Sequence, residues 1–348
     1  NIVTAGTQCD FGLGRESPTD PQNTIAICVG EYAPDGTNRW GRLFEQSAPD
    51  GSLVYTDALV TDAGGNVVLA GWNRSNHVSA PMYFDAFTVQ GTTAADVNEA
   101  EFLAELSPDG DVLWARLSDL YVARLAADTT GRVFFAGFIA YPPVGGCASA
   151  LAIGELDVTG AELWRRTFPV DPAAINLNLA LAASSNGKLA LAGTAVALDL
   201  GAGVLPDGLF VAEFDDSGEV VWAHGYGAAN FISLAFDPAQ DLFVSGVLIG
   251  TCDPVDFGAG SIVRTGCLSN PSIARETLVL AKLDPNGATL WSRHFDEQQE
   301  TTAWMPMATD AAGALFMLGA FGANVDFGGV TVTTPSGQSQ LFLAKFDP

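Results

Sequence analysis

Short apolar runs, each about a strand long, recur from one end of the chain to the other, and no helical period of comparable length competes with them. Six runs close on the same signature, a small residue, then Glu or Lys, then a large apolar residue. These are Gly30-Glu31-Tyr32, Ala104-Glu105-Leu106, Gly154-Glu155-Leu156, Ala212-Glu213-Phe214, Ala281-Lys282-Leu283 and Ala344-Lys345-Phe346. After five of them a Gly stands four residues before a Trp: Gly36 with Trp40, Gly110 with Trp114, Gly160 with Trp164, Gly218 with Trp222 and Gly287 with Trp291. A second turn follows each Trp, at Thr61–Gly64, Asp128–Gly131, Ser184–Gly187, Asp237–Gln240 and Asp310–Gly313. Asp or Ser opening and Gly closing suit a type I turn. The next strand carries a Gly near its end: Gly71, Gly137, Gly193, Gly246 and Gly319, with Gly6 as the sixth member. One repeat is therefore four short strands: A before the Asp turn, B ending in Gly, C with Glu or Lys, and D with Trp. The pairs A–B and C–D are joined tightly, and B–C and D–A by longer, variable segments. Four antiparallel strands per repeat predict one blade of a β-propeller.

Trp40 to Trp291 covers four repeats in 251 residues, about 63 each, so 348 residues hold about five and a half. Asn1 falls where Asn66 falls in its repeat, and Pro348 where Pro285 falls. The piece between matches Asn286 to Gly313, 28 residues. The expectation is one all-β domain over residues 1–348, a β-propeller of six four-stranded blades. The first and last blades are incomplete, lacking strand A and strand D; a seven-bladed ring is the alternative. Such an open blade leaves backbone groups unpaired. Either about 28 further residues fill it, or another chain adds strands there, or the closure is rearranged.

Charge narrows the partners. Forty acidic against 15 basic residues give a net charge of −25. That excludes the basic footprint of a nucleic-acid binder and disfavours anionic lipid. No Lys or Arg stands between Lys188 and Arg264, where ten Asp and Glu occur. No apolar run is long enough to span a membrane. The chain opens at Asn1 with no basic or apolar leader, which reads as a processed or partial polypeptide. Five cysteines form no C-x-x-C pair, and His77, His224 and His294 are scattered, so zinc and thioredoxin-type chemistry find no support. Cys252 and Cys267 bracket one loop and Cys9 and Cys28 another. The preferred reading is two loop-closing disulfides in an oxidising compartment, with Cys147 left over; buried free thiols are the alternative.

The Gly-x-x-x-Trp repeats resemble the bacterial SBBP-type β-propeller repeat family, over essentially the whole chain. The segments after strand B strengthen the likeness: Asp10-Phe11-Gly12, Asp256-Phe257-Gly258 and Asp326-Phe327-Gly328, with Asp199-Leu200-Gly201 a looser copy. The resemblance implies a secreted or cell-surface protein, mostly of a kind with no assigned activity. The stretches Asp157…Gly160…Trp164, Asp215…Gly218…Trp222 and Asp284…Gly287…Trp291 are also similar to the Trp-docking repeat of quinoprotein dehydrogenases and outer-membrane assembly propellers. Those rings typically have eight blades, and the enzymes among them hold a quinone beside Ca²⁺. Here the period is longer, and neither an adjacent cysteine pair nor a matching quinone site is present.

No nucleophile elbow, Walker loop or zinc-protease motif occurs, and no catalytic residue is assigned. The repeat Trp residues read as packing one blade against the next. Arg42, Arg116, Arg166, His224 and Arg293 stand two residues after them and are read as salt-bridging the strand-C Glu column, or else as lying on another face. Turn carboxylates Asp109, Asp128, Asp215 and Asp310 read as turn formers; as Ca²⁺ ligands they fit no EF-hand spacing. Neither a cofactor nor a metal is expected, Ca²⁺ being the one low-ranked candidate. All the length variation falls on the B–C and D–A face, where the longest loops span residues 72–100 and 248–277. Trp72, Tyr83, Tyr141 and Trp304, with Arg74, His77 and Arg264, fall there and suit a protein or carbohydrate ligand. The function expected is a non-catalytic extracellular or cell-surface binding and scaffolding module using that face. A lectin-like propeller or a propeller enzyme is the alternative.

Overall fold

The computed structural model describes residues 2–6, 24–47, 53–74, 81–90, 99–139, 150–170, 176–227, 230–248, 254–258, 260–262, 277–296, 306–321, 324–333 and 340–348. Among them every regular element is a strand. The chain divides into two compact units, Asn1–Thr167 and Phe168–Pro348.

In the first unit, β1 (Ile2–Gly6), β2 (Thr24–Tyr32) and β3 (Asn38–Ser47) form one antiparallel sheet. Next come β4 (Leu53–Thr61) and β5 (Val67–Arg74), then a small hairpin of β6 (Met82–Phe84) and β7 (Phe87–Val89). β8 (Glu99–Leu106) and β9 (Val112–Ser118) complete the sheet β4-β5-β8-β9, while the β6–β7 hairpin pairs onto β3. The third sheet is β10 (Leu120–Ala127), β11 (Val133–Ile139), β12 (Ala150–Leu156) and β13 (Glu162–Pro169), in that order.

The second unit repeats the scheme. β14 (Asn176–Ala183), β15 (Leu189–Ala195), β16 (Gly208–Phe214) and β17 (Val220–Gly227) form a meander. β18 (Asn230–Phe236) and β19 (Leu242–Leu248) pair with β22 (Thr277–Leu283) and β23 (Thr289–Asp296), with the short hairpin β20 (Val255–Asp256) and β21 (Ser261–Ile262) set between. β24 (Met307–Thr309), β25 (Leu315–Phe321) and β28 (Gln340–Phe346) make a three-stranded sheet, and β26 (Asn324–Asp326) pairs with β27 (Thr331–Thr333). The repeated four-stranded antiparallel unit is thus present as read from the sequence.

The tight turns share one geometry. The opening residue's N–H donates to the carbonyl four residues on, and the closing residue's N–H donates back to the opener, as at Asp128 to Gly131 and Asp284 to Gly287. That is a type I turn closed by a left-handed residue. In the first A–B turn the pattern runs from Asp62 to Gly65, with φ +83° at Gly65, one residue later than the sequence reading of Thr61–Gly64. Gln240 fills the left-handed slot at φ 70°, where the other turns use Gly. The turn carboxylates are occupied: Asp128, Asp215 and Asp310 each accept N–H bonds from their own turn. Asp109 is not an opener; Ser107 is, and its hydroxyl accepts the turn N–H groups. Among the described residues no group of three or more His, Cys, Asp or Glu is placed to hold a metal.

Within each unit, successive sheets pack face to face. Ile27, Phe44, Leu69 and Phe102 share one core, and Val68, Leu103, Val122 and Phe135 the next. In the second unit Val211, Trp222, Val244 and Val279 share a core, then Leu278, Leu280, Met317 and Phe342. The indoles join the sheets. Trp40 lies against Gly110, Trp114 against Gly160 and Trp222 against Gly287, so close that a Cβ there would stand within 2.8 Å of the ring. Trp40 Nε1 also donates to the Pro108 carbonyl at 2.8 Å. In each pair the glycine belongs to the sheet after the one that carries the Trp.

The Glu and Arg columns do not pair as the sequence suggested. Glu31, Glu105 and Glu155 accept from the indole N–H of Trp40, Trp114 and Trp164, their cross-strand or near-cross-strand partners. The residues after the Trp turn elsewhere: Arg116 and Arg293 lie over the Trp114 and Trp291 rings, His224 stacks on Trp222, and Arg42 reaches Gly110 and Asp111 of the next sheet. Strand alternation puts the residue two after the Trp on the indole's own face, beside the ring, while the indole N–H occupies the Glu. Lys282 instead bonds Asp237 at 2.8 Å and Asp241 at 3.1 Å.

Candidate functional site

β4 and β5 present an aromatic pair at the end of their hairpin away from the tight turn. Tyr55 stands opposite Trp72 in the ladder, with ring centroids 4.9 Å apart. Tyr55 is 43% exposed and Trp72 partly buried. Trp72 pairs on its other side with Glu101 of β8. Strand period places Trp72 on the face of Val68 and Ala70, toward β10.

Beside this pair lies a polar group that no motif announced. Asp57 sits at a bulge of β4, where the register slips between Thr56 and Ala58. β10 has a matching bulge between Val122 and Arg124. The Tyr121 hydroxyl donates to the Asp57 carboxylate, and the Arg124 guanidinium attracts it. Arg124 Nη1 also donates to the Ala123 carbonyl at 2.6 Å. Asp57 Oδ2 is buried and has no hydrogen-bond partner. Burial holds the Asp57 carboxyl above its ordinary range despite Tyr121 and Arg124. Burial, with the charges of Asp57 and Glu101, pushes the Tyr121 phenol far up. Burial also lowers Arg124.

The predicted loop residues separate. Tyr83 is 49% exposed on β6, but its neighbours Met82 and Phe84 pack with Phe44, Leu69 and Phe102. That is the face of the β4-β5-β8-β9 sheet opposite Trp72, so the two aromatics do not form one surface. Arg74 ends β5, opposite Leu53 and Glu99. His77, Tyr141, Arg264 and Trp304 lie outside the described residues, as do Cys9, Cys147, Cys252 and Cys267. Cys28 is buried on β2, opposite Gly6. Sequence reasoning missed Tyr55, Asp57, Glu101, Tyr121 and Arg124. The signal available was a charged residue inside an otherwise apolar strand A, at Asp57 and at Arg124.

Asp10-Phe11-Gly12 lies outside the described residues, and the Asp-Phe-Gly segments at Asp256 and Asp326 prove to be hairpins that tie sheets together. Asp256 Oδ1 accepts the Gly258 N–H at 2.6 Å, and Asp326 Oδ1 that of Gly328 at 2.9 Å. Phe257 is buried against Tyr226 of β17, and Phe327 packs on Phe295 of β23. Phe84 packs on Phe44 of β3 in the same way. In each case the strand contacted belongs to the preceding sheet.

No protein-family model matches the chain, and no curated protein matches it. Among solved structures, it is similar to the Dos1 propeller at 12% identity and TM-score 0.40, covering 87% of this chain and 66% of that one. A protein of unknown function from Dyadobacter fermentans gives 10% identity and TM-score 0.41, covering 93% and 91%. A gluconolactonase from Xanthomonas campestris gives 13% identity and TM-score 0.37, covering 91% and 92%. At such TM-scores these likenesses carry no argument about this chain.

Proposed function

We propose that this chain is a propeller-type, non-catalytic binding module that holds its ligand on the face where the B–C and D–A connections lie. The observation that carries the reading is the Tyr55–Trp72 pair: two large rings in contact at a hairpin end, one of them 43% exposed. Rings held side by side on rigid strands offer contact area at little entropic cost. The propeller arrangement rests on the internal repeat. Four-stranded meanders follow one another, and Trp40, Trp114 and Trp222 each seat on the next sheet's turn glycine. Titration followed by tryptophan fluorescence tests the reading. Trp72→Ala and Tyr55→Ala are each expected to lower affinity at least tenfold with the melting temperature little changed. Wild-type affinity in both variants would overturn it.

An exported, disulfide-bearing chain accords with Cys28, buried opposite Gly6, three residues from Cys9. Strand addition by another chain at β28 accords with Leu341 and Leu343, 74% and 70% exposed, where their counterparts Leu278 and Leu280 in β22 are buried.

A further inference from the structure

We infer that the ligand of the Tyr55–Trp72 surface is a neutral saccharide, and that Asp57, with Tyr121 and Arg124, receives its hydroxyl groups. This rests on the binding reading above and narrows it to a ligand class and a set of polar contacts. The placement is continuous. Trp72 stands between Tyr55 and Glu101 in the ladder. Glu101 is near enough to act on the Tyr121 phenol, and Tyr121 bonds Asp57. The bulges in β4 and β10 set Asp57 and Arg124 out of the regular alternation, which is how a sheet re-aims a side chain.

The chemistry selects among ligands. Asp57 keeps one carboxylate oxygen with no hydrogen-bond partner, an unmet acceptor in a group that is otherwise well placed. Asp57, Tyr121 and Arg124 are each only partly buried, so the group keeps surface that a bound hydroxyl can reach. A cationic ligand would meet Arg124, which already balances Asp57. An anionic one would meet Asp57 and Glu101. A sugar ring carries no charge, lays C–H groups on an aromatic face, and supplies hydroxyls that both donate to a carboxylate and accept from a guanidinium.

The test uses the full chain and a panel of neutral malto-, cello- and chito-oligosaccharides, read by tryptophan fluorescence and calorimetry, with oligolysine as the charged comparison. One oligosaccharide series is expected to bind, with affinity nearly independent of salt. Asp57→Asn and Tyr121→Phe should each weaken it at least tenfold, with circular dichroism and melting temperature confirming the fold. If the series binds and Trp72→Ala abolishes binding while Asp57→Asn and Tyr121→Phe bind as wild type, the assignment of the polar contacts is overturned and the aromatic reading stands. If only oligolysine binds, in a salt-dependent way, or if no oligosaccharide binds, the saccharide inference is overturned. If Trp72→Ala and Tyr55→Ala leave binding intact, the parent reading falls with it.

Discussion

In three of the Gly-x-x-x-Trp segments the glycine, Gly110, Gly160 or Gly287, receives the tryptophan of the preceding sheet rather than its own. Gly110 combines φ +83° with Trp40 at 2.8 Å from where a Cβ would stand, while Gly36, at φ +82°, has nothing within 4 Å. Gly36→Ala therefore carries only the left-handed backbone term, about 1–2 kcal/mol. Gly110→Ala adds overpacking against the indole and should cost about 2–5 kcal/mol by chemical denaturation. The same logic runs in reverse at Gln240, whose φ of 70° puts a side chain where glycine is at ease; Gln240→Gly should stabilise by about 1 kcal/mol. Glu105 gives a pH prediction. Burial raises its carboxyl above the ordinary range although the Trp114 indole N–H donates to it. With the folded value above the unfolded one, its contribution is fully present below the unfolded value and is lost as pH rises through the folded one. Glu105→Gln keeps an acceptor for Trp114 and does not titrate. Wild type should therefore gain on Glu105→Gln as pH falls from 7 to 4, read as the difference in melting temperature between the two proteins. A constant difference would show that Glu105 titrates as it does when unfolded.

At the scale of elements, the inserted hairpins are struts, not free loops. Asp256 holds the Gly258 and Gly260 N–H groups, and this turn delivers Phe257 to Tyr226, centroids 4.6 Å apart. Phe257→Ala should cost about 3–5 kcal/mol, since it empties a buried contact between two sheets. Asp256→Ala should cost about 0.5–2 kcal/mol, the scale of losing a side-chain cap on backbone N–H groups. Thermal and urea unfolding of the two variants would rank them; equal, negligible effects would show that the hairpin does not tie the sheets.

At the scale of the molecule, the apolar face that the next sheet covers in β22 stands open in β28. Leu280 is buried at 0% exposure and Leu343 stands at 70%. Leu280→Asp should destabilise by more than about 3 kcal/mol, because it buries an unpaired charge. Leu341→Asp with Leu343→Asp should leave the melting temperature nearly unchanged and reduce self-association, read by size exclusion with light scattering. Thiol counting on denatured, unreduced protein is a separate check on the exported reading: one free thiol is expected, and five would reject the pairing of Cys9 with Cys28 and Cys252 with Cys267.

The repeated four-stranded unit was legible because its marks are local. A left-handed slot wants Gly, an opener wants Asp or Ser, and strand period fixes which residues share a face, all within a few residues. The same locality explains the one-residue error at the first A–B turn, where Gly64 and Gly65 are adjacent and only the carbonyl partner decides which one closes it. What the indole touches was not legible, since the glycine that receives Trp40 lies 70 residues later on another sheet. Nor was the role of the Glu column, whose partner is set by register across a hairpin. The candidate site was half visible: Trp72 stood out as an aromatic beyond the repeat. Asp57, Tyr121 and Arg124 did not, because two bulges and the packing of β10 on β4 bring them together, and neither leaves a spacing in the sequence. Periodicity determines the strands and their faces; the long-range packing of one sheet on the next decides which polar residues meet.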